Sequence, residues 1–140
     1  MSMEERTGIR SLIYSAWHRP SVIRRYLSAR DAARLTMIDI DACEACCYCS
    51  QPVALIETEK TNRPQPKRAP ITAALARLAD IEAYSVAYSV DGDDAIESFR
   101  VQRIQPHEDW VNFMWPVDYA KFLLALRERH ECPEVERRAA

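Results

Sequence analysis

Apolar residues recur at helical spacing in four stretches of this chain and alternate with polar ones in four others. Leu12, Ile13, Ala16 and Trp17, following Gly8, predict a short helix over residues 9–17 that Pro20 interrupts. Ser21 can cap a second helix whose apolar side is Val22, Ile23, Tyr26, Leu27 and Leu35. Residues 35–41 (LTMIDID) alternate and predict a strand, with Ile38 and Ile40 on one face and Met37, Asp39 and Asp41 on the other. Pro52 introduces the clearest strand, Val53 to Thr58. Residues 61–70 hold three prolines and read as a loop. Ile71, Leu75, Leu78 and Ala79 predict a helix over 71–81. Residues 83–90 read as a buried strand, Asp91 to Asp94 as a turn, and Phe99 to Ile104 as the partner strand. Pro116 suits the first turn of a closing helix that runs to about Arg129, with Tyr119, Phe122, Leu123 and Leu126 as its buried stripe.

This order predicts an α/β fold, a single three-layer domain over residues 1–132 with a small mixed sheet flanked by helices. The strand 53–58, the helix 71–81 and the strand 83–90 form a crossover, so those two strands should be parallel neighbours. A Cys-rich loop is expected at 43–52 and a frayed tail at 133–140.

Composition narrows the chemistry. The 140 residues include two glycines, Gly8 and Gly92, too few for a P-loop or a dinucleotide fingerprint. No apolar run approaches roughly 18 residues, so no membrane span is expected, and Met1 to Arg10 lack a signal-peptide core. The expected location is therefore the cytoplasm, where cysteines are thiols or metal ligands. The net charge of −2 hides an uneven distribution: residues 1–34 carry +4, 35–60 carry −4, 61–90 carry +2, and 91–115 carry −4. Acidic segments beside basic ones suit a metal site next to a polyanion, and equally an ordinary soluble domain.

Four of the five cysteines, Cys43, Cys46, Cys47 and Cys49, fall within seven residues. The Cys46-x-x-Cys49 spacing looks like half of a zinc knuckle, and Cys43 could add a third thiolate. A closed site needs a fourth ligand, for which His130, Cys132, His18 and His107 are the candidates. The other reading is a tight loop of semi-buried thiols. Zinc here would be structural, since the loop joins two acidic strands.

Those strands end in Asp39 and Asp41, and in Glu57 and Glu59. Alternation puts Val53, Leu55, Glu57 and Glu59 on one face, apolar at its start and acidic at its end. Converging carboxylates could hold Mg²⁺ or Mn²⁺ through Asp41, Glu57 and Glu59, or could simply solvate strand ends. An acid on one strand, an acidic strand 16–18 residues later, a helix and a tyrosine-rich strand resembles the restriction-endonuclease-like PD-(D/E)XK nucleases. The stretches Asp39–Asp41, Pro52–Glu57 and Ala83–Tyr88 are also similar to small proteins of actinobacterial phages. The resemblance implies a restriction-endonuclease-like core and metal-dependent phosphodiester hydrolysis in a host bacterial cytoplasm. Asp39 or Asp41 then matches the first metal-binding acid and Glu57 the second. Glu59 stands where the family usually has its catalytic lysine, so Lys60, Lys67 or Arg68 would have to supply the positive charge. Nucleic acid is the implied partner, with Arg24, Arg25, Arg30 and Arg34 on the second helix as a phosphate-facing ridge or a solvated face.

A rival from another class is a non-catalytic protein that binds a host protein. Its motive is the missing strand lysine and the aromatic run Trp110, Phe113, Met114 and Trp115, which otherwise reads as a packing lid. A third reading is a zinc-stabilised structural module. His18, His107 and His130 pair with no Ser or Cys in a nucleophile-and-base pattern.

Overall fold

A computed structural model describes residues 28–34 and 40–132. The chain divides after Asp39 into two compact units. In the first, the short helix α1 (Ala29–Ala32) starts at Ser28, whose hydroxyl accepts from the Asp31 amide at 3.1 Å. The helix expected over residues 9–17 lies outside the described residues, as does most of the second one.

The second unit follows the order β1 (Ala42–Ala45), β2 (Pro52–Lys60), α2 (Pro70–Ala79), β3 (Glu82–Val90), β4 (Ile96–Gln105), β5 (Asn112–Met114) and α3 (Pro116–Glu128). The strands form one open sheet in chain order. Strands β2 and β3 are parallel, joined through α2 as the crossover pattern predicts, and every other neighbouring pair is antiparallel. The sheet is therefore mixed, and the architecture α/β.

The two faces of the sheet are packed differently. Ala54, Ile56, Tyr84, Val86, Phe99 and Val101 point to one face and lie under Leu126 of α3, with Tyr119, Phe122 and Leu123 completing the layer. Phe99 stacks on Tyr119 at 4.1 Å between ring centroids, and Tyr84 meets Phe122 edge-on at 4.9 Å. The stripe read from the sequence of α3 is thus the stripe it buries. On the opposite face Leu55 and Ala83 meet Ala76 of α2, and Ile40, Ile81 and Ile104 pack at the edge of that cluster.

Helix α2 departs from its apolar pattern. Thr72 and Ala76 are its buried residues, whereas Ile71, Leu75 and Leu78 are 48%, 46% and 83% exposed. Small side chains let the helix lie close to Ala83, and the Thr72 hydroxyl reaches a buried carboxylate, Glu57. Polar satisfaction and close approach outweigh the burial of three larger side chains at this face.

Two further corrections concern the edges of the sheet. Residues 40 and 41, expected at the end of a strand, are not in one; residues 35–39 lie outside the described residues. The strand begins at Ala42 and runs into the expected Cys-rich loop, because Ala42, Cys43 and Glu44 pair with Ile56, Leu55 and Ala54 as a local hairpin. At the other edge, the aromatic run contains a strand, β5, which pairs with Phe99 to Val101. Among the described residues the left-handed non-glycine positions are Ser50, Asp80 and Asp94, at φ 64°, 57° and 60°. Asp is among the residues that tolerate this region best.

Candidate metal centre

The turn between β1 and β2 spans six residues, Cys46 to Gln51. The Cys46 amide donates to the Gln51 carbonyl and the Ser50 amide to the Cys46 carbonyl, both at 2.9 Å. Ser50 takes the left-handed conformation that lets the chain turn back directly after Cys49. This closure folds Cys46 and Cys49 onto the same side of the turn. Backbone amides of Cys49, and secondarily Tyr48, donate toward the Cys46 sulfur and draw its thiol down to about 7. The Gln51 amide likewise favours a Cys49 thiolate, but burial and the adjacent Cys46 and Cys132 sulfurs outweigh it and push that thiol up.

The other half of the site comes from the far end of the chain. Helix α3 ends at Glu128, and the His130 amide donates back to the Arg127 carbonyl at 3.1 Å. The residues beyond it carry His130 and Cys132 to the hairpin. His130 Nε2 lies 3.3 Å from Cys49 Sγ. The ligand atoms of Cys46, Cys49, His130 and Cys132 all lie within 4.8 Å of one another. Cys46 and Cys132 are buried and the other two are half-buried.

Salt bridges brace the junction. Arg127 donates to Glu44 Oε2 of β1 from Nη2 at 2.7 Å and from Nε at 3.0 Å. Arg129 meets both carboxylate oxygens of Glu82 at 3.2 and 3.0 Å. Tyr84 donates its hydroxyl to Glu82 as well. Burial, then the Glu82 carboxylate, pushes the Tyr84 phenol up to about 12. The end of helix α3 is thus fixed to β1 by Glu44 and to β3 by Glu82.

Three cysteine sulfurs and one imidazole within a few ångströms can hold one metal ion. Soft sulfur and imidazole donors in a set of four suit tetrahedral Zn²⁺ and do not suit Mg²⁺. The spacing alone indicated Cys46 and Cys49; Cys43 was the expected third ligand, and it is not part of the cluster. Its place on β1 leaves it exposed, with its thiol 3.8 Å from the Glu44 carbonyl. Cys47 is exposed too. Cys132 and His130 take the remaining positions; His18 is outside the described residues, and His107 instead pairs with Asp109 at 2.9 Å.

The predicted carboxylates have separate partners. Asp41 Oδ2 accepts from the Thr58 amide at 2.7 Å and from its hydroxyl at 3.3 Å, which extends the β1 edge alongside β2. Glu57 is buried; it accepts from Thr72 Oγ1 at 2.7 Å, and Lys67 Nζ stands 3.7 Å from its other oxygen. Glu59 is held by Arg63 Nη2 at 2.6 and 2.7 Å. Among the described residues the sulfur cluster is the one group of three or more potential ligands drawn together, and Asp41, Glu57 and Glu59 do not form another. Asp39 lies outside the described residues.

The expected cations belong to different elements. Lys60 is exposed at the end of β2. Arg24 and Arg25 lie outside the described residues, while Arg30 and Arg34 are exposed, with Arg34 3.9 Å from Asp31. Arg68 is exposed at a cavity beside the start of α2. Among the described residues no helix is long and apolar enough to cross a membrane. Comparison with protein-family models, curated proteins and solved structures finds no match to this chain.

Proposed function

We propose that this chain is a zinc-stapled module whose metal joins the β1–β2 hairpin to the end of α3. The observation that carries this reading is the convergence of Cys46, Cys49, His130 and Cys132 within 4.8 Å. Four protein ligands fill a tetrahedral shell and leave no open position for substrate, so the metal serves structure and not catalysis. The low thiol of Cys46 and the adjacent Arg127 favour the thiolate form that zinc requires. The stapled fold presents Trp110, Phe113 and Trp115, each more than half exposed, on and around β5. Large aromatics exposed together are the residue types that anchor protein interfaces, and a host protein is the partner class they fit. Elemental analysis of untagged protein should return one zinc per chain, and Cys46→Ser or Cys132→Ser should abolish it. Metal-free protein that is fully folded would remove the reading.

A second reading, a Mg²⁺- or Mn²⁺-dependent nuclease, is favoured by one observation. Glu57 is buried at the C-terminal part of β2 with Lys67 beside it, a carboxylate and an ammonium close together where a parallel strand pair ends. Cleavage of DNA or RNA with either ion, lost in Glu57→Gln, supports it. No cleavage of any substrate by the wild type ends it.

A further inference from the structure

A cavity of about 510 Å³ lies on the α2 side of the sheet, away from the sulfur cluster. One wall is the loop that leads into α2, with Lys67 and Arg68; the other is β4 and the loop after it, with Gln102, His107 and Asp109. Pro66, Pro70, Ala73 and Ile104 supply the apolar lining.

Both walls are fixed from behind. The Ser85 hydroxyl donates to the Lys67 carbonyl at 2.7 Å, and Ser85 is itself buried. Gln102 Nε2 donates to the Glu108 carbonyl at 3.0 Å, and Arg103 also pairs with Glu108. Walls held in this way lose little freedom when a ligand enters.

The charges around the cavity are unequal. Lys67 is paired with Glu57, and His107 with Asp109. Arg68 has no carboxylate within salt-bridge distance among the described residues, so one arginine of the lining remains to be matched. A planar fork of donors in a lining that also holds a lysine and a histidine is chemistry that recognises a phosphate group. The volume is much larger than one phosphate and falls in the ordinary range for small-molecule sites, roughly 300–1,000 Å³. The excess space is lined by proline, alanine and isoleucine, which suits an apolar body attached to the phosphate.

We propose that this cavity binds a phosphate ester of mononucleotide size, with its phosphate on Arg68 and Lys67 and its apolar body against Pro66, Pro70 and Ile104. The site is independent of the zinc reading, because none of its residues belongs to the metal cluster.

The test is an amide-shift titration of the full chain, as purified, with adenosine 5′-monophosphate. The expected result is saturable shifts centred on residues 65–73 and 102–109, with affinity reduced about tenfold or more in Arg68→Glu. Adenosine without phosphate, and inorganic phosphate without the nucleoside, should each bind at least about tenfold more weakly. Binding of a 5′-phosphorylated trinucleotide more tightly than the mononucleotide supports the proposal with a nucleic-acid end as the source. Equal or weaker binding supports it with a free nucleotide. No saturable shift by about 10 mM overturns it. So does unchanged affinity in Arg68→Glu, a variant of an exposed side chain that leaves the fold intact, or inorganic phosphate binding as tightly as the mononucleotide.

Discussion

His130 Nε2 lies 3.3 Å from Cys49 Sγ, although 81 positions separate the two residues in the chain. This pairing ties the end of the last described helix to a turn between the first two strands of the sheet. Because α3 covers the aromatic face of the core and His130 and Cys132 follow directly after it, the candidate metal site adjoins an element of the main core.

Removing a ligand should therefore unsettle more than the site. Cys132→Ser is expected to cost about 3 kcal/mol or more, and chelation of the wild type should have a similar effect. Urea unfolding with and without added zinc measures both. Tyr119 and Phe122 should lose protection in hydrogen exchange along with the rest of α3.

The two exposed thiols should behave oppositely. Cys43→Ser and Cys47→Ser are expected to keep one zinc per chain and to change stability by no more than about 0.5 kcal/mol. Native mass spectrometry counts the metal directly. Loss of zinc in Cys43→Ser would show that β1 rearranges to bring this thiol into the cluster.

Glu57 is the acid whose removal should matter most. In Glu57→Ala the Thr72 hydroxyl loses its acceptor in a buried place and Lys67 loses its counter-charge, for a cost of about 2–3 kcal/mol. Glu57→Gln keeps an oxygen for Thr72 and should cost less. Asp41→Ala and Glu59→Ala act at more exposed positions and are expected to cost about 1 kcal/mol or less by chemical denaturation.

Tyr84 should titrate late. Its phenol is raised to about 12 by burial and by Glu82, from an ordinary value of 10. The folded state thus holds this proton more firmly than the unfolded state does. The associated stabilisation is complete below pH 10 and is lost as pH rises through about 12. Absorbance titration should show a tyrosinate step near pH 12 that is absent in Tyr84→Phe, and the variant should lose less stability between pH 10 and 12 than the wild type. A Tyr84 step at the ordinary value would contradict the half-buried hydrogen bond to Glu82.

Much of the fold was legible because it is local. Pro52 to Lys60 is a strand whose apolar start and acidic end are written in alternate residues. The closing helix begins at Pro116, and its Tyr119, Phe122, Leu123 and Leu126 cover the sheet as their spacing predicts. Elsewhere periodicity misled. In α2 the larger apolar residues stay exposed, because the turn of helix that meets the sheet is chosen by Glu57's need for Thr72 and by the small size of Ala76 and Ala83. The strand β1 was hidden among cysteines, whose pattern carries no alternation, and is created by hairpin pairing with β2.

By itself, then, the sequence determined the order of the main elements, the parallel crossover through α2, the closing helix and the Cys46–Cys49 half of the candidate metal site. Those features rest on residue spacing within a turn or a strand, which the backbone geometry reads locally. The tertiary structure alone decided that His130 and Cys132 complete the site, that Cys43 does not, and that Asp41, Glu57 and Glu59 each take a separate partner. Such choices depend on where distant segments meet after the core has packed, and spacing along the chain carries no record of that meeting.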